Sequence, residues 1–155
     1  IVLPRQAPPL QMALAAAAVG QGRLAAPRLL PELDGREAAL RPGAELGVRL
    51  DRVRAGMKGV VEGGTAAGAF RAKEFDGLRA GLFGKTGTAP TGEGGMATVW
   101  FMGWLEPGSL PGQTRRLAFA AFVSESRLTG GAHAAPVLAA LLHSMHMQSL
   151  EQKGD

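Results

Sequence analysis

The chain has no cysteine, so it holds no disulfide, no thiolate metal site and no cysteine nucleophile, whichever compartment it occupies. It has no tyrosine, only 2 tryptophans and 5% aromatic residues overall. Its basic residues are scattered, as at Arg49, Arg52, Arg54 and Arg115-Arg116, and form no dense tract. Without a basic surface interleaved with stacking aromatics, nucleic-acid binding is not expected. Histidine is scarce as well, at 3 residues. His143 and His146 stand close together on a C-terminal helical stretch, but no third ligand at a suitable spacing accompanies them, so solvated helix-end histidines are expected and a metal site is not. His133, after two glycines, reads as a helix-start residue. The longest apolar run, Leu10 to Val19, falls short of the roughly 20 residues needed to span a membrane. A basic start, an apolar middle and a cleavage site do not occur in order, so no signal peptide is read.

What is present is a chain of 155 residues with 46% hydrophobic content, enough for one domain, or part of one, with a real core. The net charge of +4 suits an anionic substrate or surface. The sequence begins at Ile1 without a methionine, and its opening residues read as the interior of a longer polypeptide.

Hydrophobic spacing predicts a helix from Pro9 through Leu10–Val19 with proline in its first turn, apolar nearly all round and therefore buried, ended by Gly20 and Gly22. Arg23 to Leu33 reads as an extended piece leading to a polar loop at Asp34-Gly35. Leu46, Leu50, Val53, Met57, Val60 and Val61 recur at three- and four-residue steps, which predicts an amphipathic helix closed by Gly63-Gly64. The small residues from Thr65 to Phe70 suggest a short helix or a segment lying close beneath a neighbouring strand. Three strands follow at Leu82–Thr88, Thr98–Leu105 and Leu117–Val123, simplest as an antiparallel meander. The middle strand is apolar on both faces, as expected of one covered by helices on each side, and Gly103 between its tryptophans implies a close crossing. After Thr129-Gly130-Gly131 the helical spacing of Ala134, Val137, Leu138, Leu141, Leu142 and Met145 predicts a last helix that lies on the sheet before a polar tail at 148–155.

The segment Gly84-Lys85-Thr86-Gly87-Thr88-Ala89 carries the chemistry. One cation and two hydroxyls flank a residue without a side chain at the end of an apolar strand, which suits an anion lying close to the backbone. Alternation places Lys85 on one face and Thr86 and Thr88 on the other or at the edge. A nucleotide-binding loop is excluded by spacing, because Arg79 stands where that motif needs its first glycine. It is excluded by context too, since a turn-rich connection and not a helix follows.

The order of these features resembles the penicillin-binding transpeptidase domain, most closely its monofunctional class B type. The similarity rests on Pro9-Leu10-Gln11-Met12-Ala13, on Gly56-Met57 through Gly64-Thr65-Ala66, on the lysine-threonine-glycine triplet at Lys85, on Trp100-Phe101-Met102-Gly103-Trp104, and on Gly130-Gly131 with Ala134-Ala135-Pro136-Val137. The resemblance implies an α+β fold, an antiparallel sheet flanked by helices. It implies a serine D,D-transpeptidase that crosslinks peptidoglycan stem peptides and is acylated by β-lactams, with no metal or other cofactor, at the bacterial periplasmic face of the membrane through an upstream anchor. By the same resemblance Lys85 is catalytic and Thr86, Gly87 and Thr88 bind substrate, the hydroxyls taking its terminal carboxylate and the Thr88 N–H serving the oxyanion hole.

Two motifs of that family are missing. No serine is followed by lysine three residues on, and there is no asparagine in the sequence, so neither the nucleophile motif nor the serine-x-asparagine motif is present. The expectation is a C-terminal portion of one domain, inactive alone, whose open sheet packs against the N-terminal part of the same protein. A β-lactamase, or a non-catalytic sensor or scaffold on the same fold, are the rival readings, decided by residues upstream.

Overall fold

The computed structural model describes residues 7–24, 26, 27, 29, 32, 33, 35–37, 43–91 and 94–151. The opening residues 1–6, Asp34, parts of the 23–33 and 34–42 stretches, and the tail beyond Glu151 lie outside the described residues. Helix α1 spans Pro9–Gln21, begins with proline in its first turn and ends at Gly22, whose φ of 80° and N–H bond to the Ala18 carbonyl form a left-handed cap. The two-residue strands β1 (Glu32–Leu33) and β2 (Arg36–Glu37) pair antiparallel around Gly35.

Helix α2 runs Asp51–Glu62, starting later than the periodicity predicts. Leu46 is diverted because its N–H bonds to the Gly22 carbonyl, beside an antiparallel bridge between Arg23 and Glu45. The amphipathic reading of α2 holds at Met57 and Val61, which are buried, but Val53 is exposed. Gly63 closes the helix as expected. Thr65-Ala66 then leads into 3₁₀ turns at Ala67–Phe70 and Lys73–Phe75 and the short helix α3, Asp76–Gly81, which feeds directly into the sheet.

The predicted meander is present. Strands β3 (Leu82–Pro90), β4 (Ala97–Leu105) and β5 (Leu117–Ser126) form an antiparallel sheet in the order β3-β4-β5. Leu82 faces Leu105 and Pro90 faces Ala97 across the first pair, with no slip between them. A register shift between Ala97 and Val99 marks the second pair. A π-type turn at Gly130–Ala134 leads to helix α4, Ala135–Glu151. Residues 148–151, expected as polar tail, continue that helix.

The two faces of the sheet differ. Val99, Phe101 and Leu105 of β4 join Leu82, Phe70, Phe75, Leu78, Leu138 and Leu142 in the main core. On the opposite face α1 docks through Gly20, where an added Cβ would lie 3.0 Å from the Trp104 ring. Phe83 stacks on Trp104 at 4.7 Å and Trp100 on Phe122 at 5.0 Å. The covering by helices is therefore closer on one face, where Val99, Phe101 and Leu105 are buried and Leu117, Phe119, Ala121 and Val123 of β5 partly so, than on the other, where Trp104 is buried, Trp100 and Met102 only half-buried, and Phe122 exposed. Helix α1 is likewise not buried all round, as only Ala16, Ala18 and Gly20 are enclosed.

Candidate functional site

Strand β3 is an edge strand, with β4 on one side and no strand partner on the other among the described residues. In its inner half Leu82 and Gly84 are buried and Phe83 is half-buried against Trp104, while Lys85, Thr88, Ala89 and Pro90 are exposed and Thr86 and Gly87 half-buried. The chain thus presents an open backbone edge where its polar residues begin, a geometry that accepts an extended ligand strand.

A cleft of about 300 Å³ lies along this stretch, lined by Lys85, Thr86, Gly87, Thr88 and Ala89 of β3, Trp100 and Met102 of β4, and Met12 of α1. The four site residues expected from sequence therefore share one cleft. Lys85 is the charged residue of its lining, and no carboxylate lines it among the described residues, so the cleft favours an anion. Register puts Lys85 opposite Met102 and Thr86 opposite Phe101, on opposite faces as alternation requires. The Lys85 ammonium turns back to the Thr86 carbonyl at 2.6 Å in an exposed hydrogen bond, and a ligand carboxylate can take over that donor. Gly87 pairs with Trp100, and an added Cβ there would meet Trp100 at 3.5 Å. The floor is tight but not closed.

The threonines are held from behind. Thr86 Oγ1 lies 2.7 Å from Thr65 Oγ1, and Thr88 Oγ1 accepts from the Gly130 N–H at 3.3 Å. Gly130 sits so close to the sheet that a Cβ would lie 2.4 Å from the Trp100 carbonyl and 2.6 Å from that of Gly87. Gly131 does the same against the Thr65 carbonyl. The sequence places Thr65 in a small-residue segment and in the Gly64-Thr65-Ala66 stretch of the family resemblance, but gives it no role at the triplet, because its contact with Thr86 carries no periodic signal. The turn is itself fixed by buried Ser126, whose hydroxyl meets His133 Nδ1 at 2.9 Å and accepts from the Leu128 N–H at 3.0 Å.

The other histidines stand away from this cleft. His143 packs edge-on to Phe75 at 6.0 Å and both it and His146 are half-buried on α4, not solvated as expected, because the last turns of the helix still lie on the core. A larger cleft of about 420 Å³ between Gly22, Glu45, Gly47–Asp51 and Arg54 is set apart from the triplet. Its Arg54 is already committed to the Val19 carbonyl at 2.9 Å.

Comparison with protein families matches residues 6–143 to the penicillin binding protein transpeptidase domain. The chain belongs to this family. Among solved structures, the penicillin-binding fold is matched by a crystal structure of Pseudomonas aeruginosa PBP2 in complex with WCK 5153, with a TM-score of 0.66 and 26% identity over 91% of this chain. The chain spans 30% of that protein's length. No curated protein sequence matches. The α+β architecture, an antiparallel sheet flanked by helices, is that of the transpeptidase relatives. No helix among the described residues is long and apolar enough to cross a membrane.

Proposed function

We propose that these residues are the C-terminal part of a serine D,D-transpeptidase that crosslinks peptidoglycan stem peptides and is acylated by β-lactams. The observation that carries this reading is the cleft along edge strand β3, which Lys85, Thr86, Gly87 and Thr88 line together and which holds a cation and no carboxylate among the described residues. In the proposed reaction a serine from the upstream part of the polypeptide attacks the carbonyl between two D-alanines and forms an acyl-enzyme as that amide breaks and the terminal D-alanine leaves with the proton on its nitrogen; with a β-lactam the ring amide breaks and the leaving nitrogen stays attached. Lys85 supplies positive charge and hydrogen bonds beside the attacking group. The hydroxyls of Thr86 and Thr88 take the terminal carboxylate, as charge-assisted bonds shorter and stronger than neutral ones. The Thr88 N–H provides one oxyanion donor, a kind of contact worth about a hundred- to a thousandfold in rate because it meets charge that develops only in the transition state.

The partners that follow are stem peptides, β-lactams and the N-terminal part of the same protein, at the periplasmic face of the cytoplasmic membrane. The test is Lys85→Ala in the full-length polypeptide, followed by acylation with a fluorescent penicillin. The second-order acylation rate is expected to fall by about a hundredfold or more with the melting temperature unchanged, since the Lys85 side chain is exposed. Wild-type acylation kinetics in the variant would remove the role given to Lys85. A wild-type protein that forms no acyl-enzyme would point to the scaffold reading, and one that releases it rapidly to a β-lactamase.

A further inference from the structure

Neither Thr65 nor Gly130 lines the cleft, yet each bonds the hydroxyl of a threonine that does. A backbone N–H can only donate, so the Gly130 contact fixes Thr88 Oγ1 as an acceptor on that side and leaves the Thr88 proton to be donated elsewhere. The Thr65–Thr86 pair has no such built-in direction, because either hydroxyl can give its proton to the other across 2.7 Å. An anion in the cleft selects one arrangement: Thr86 can donate to the anion only if it accepts from Thr65.

Thr65 is well placed for this. The end of α2 fixes its neighbours, with Gly64 N–H on the Gly59 carbonyl at 2.8 Å and Ala66 N–H on the Val60 carbonyl at 3.0 Å. Ala66 is fully buried. The Thr65 carbonyl lies against Gly131 with no room for a Cβ between them. Its backbone is therefore held on both sides while its hydroxyl reaches across to β3.

We propose that Thr65 is a positioning residue for the anion grip: its hydroxyl donates to Thr86 Oγ1 and turns the Thr86 O–H toward the carboxylate of the bound ligand. Thr65 and the Gly130 N–H then act alike, each filling an acceptor site behind a cleft threonine so that both threonines present protons forward. This rests on the transpeptidase reading of the cleft, and the consequence is a specificity for carboxylate-bearing ligands that depends on a residue outside the cleft.

The test uses the full-length polypeptide and two probes, benzylpenicillin and its methyl ester, which lacks the anionic carboxylate. Thr65→Val removes the hydroxyl at constant shape. It is expected to slow acylation by benzylpenicillin about tenfold, the effect of one hydroxyl bond in a charged chain, while the methyl ester reacts at the wild-type rate. Thr65→Ala repeats the loss with a smaller side chain, and Thr65→Ser restores the wild-type preference for the free acid. A Thr65→Val or Thr65→Ala protein that keeps wild-type rates with both probes, or loses rate equally with both, would overturn the inference, because a purely structural threonine does not distinguish acid from ester. A wild-type protein acylated by neither probe would instead overturn the transpeptidase reading, and this inference with it.

Discussion

Gly84 and Gly103 face one another across β3 and β4, and each leaves space that another group fills. At Gly84 the space holds the Phe101 ring, 2.4 Å from where a Cβ would stand. At Gly103 it holds the Phe83 carbonyl at 1.8 Å, and backbone cannot step aside as a rotamer can. Gly103→Ala should therefore destabilise the protein by about 3 kcal/mol or more, at the upper end of overpacking, whereas Gly68→Ala, with open space around it, should stay within about 0.5 kcal/mol. Urea midpoints of the two variants check the contrast. The tight crossing at Gly103 was legible because a glycine between aromatics in a strand has little other use. The pairing of Thr65 with Thr86 was not, since it joins residues 21 apart through side chains with no repeat to betray them.

At the scale of elements, periodicity located the strands and both ends of the chain's helical content, and missed what depends on capping and contact. Helix α3 is one example, as it is too short to show a helical period. Its C-terminal carbonyls at Arg79 and Ala80 accept from Lys58 Nζ of α2 at 2.5 and 2.7 Å. The same ammonium lies 5.3 Å from the centre of the Phe83 ring and 3.6 Å from the Glu62 carboxylate. A cation at a helix C-terminus is favoured by the dipole, and here it also ties α2 to the point where α3 becomes β3. Lys58→Met keeps the apolar stem and removes the donor, so it should cost about 1 to 3 kcal/mol and be read as a lowered urea midpoint. Helix α1 was expected to be buried because it is apolar all round. Its outward side stays exposed at Leu10, since composition states which residues can be buried and not which faces find a neighbour.

Across the whole molecule, the face of the sheet around the cleft is apolar and partly uncovered, with Phe122 47% exposed beside Trp100 and Leu10 44% exposed at the start of α1. Open sheet edges and such apolar surface are sites where further chain can pack. On the function proposed above, the 155-residue chain alone should gain no mass when incubated with a penicillin, and the same residues joined to the proposed upstream part should gain one acyl group. Intact-protein mass spectrometry checks both, and an adduct on the isolated chain would place a nucleophile within it. The sequence by itself determined the meander, the place of the lysine-threonine-glycine triplet on its first strand and the absence of a serine followed by lysine three residues on, because these depend on residue type and short spacing. Only the tertiary structure decided that Thr65 and the Gly130–Gly131 turn stand behind that triplet, and that one sheet face is covered more closely than the other. Those outcomes follow from long-range close approach, where two backbones meet only when the glycines between them leave no Cβ in the way.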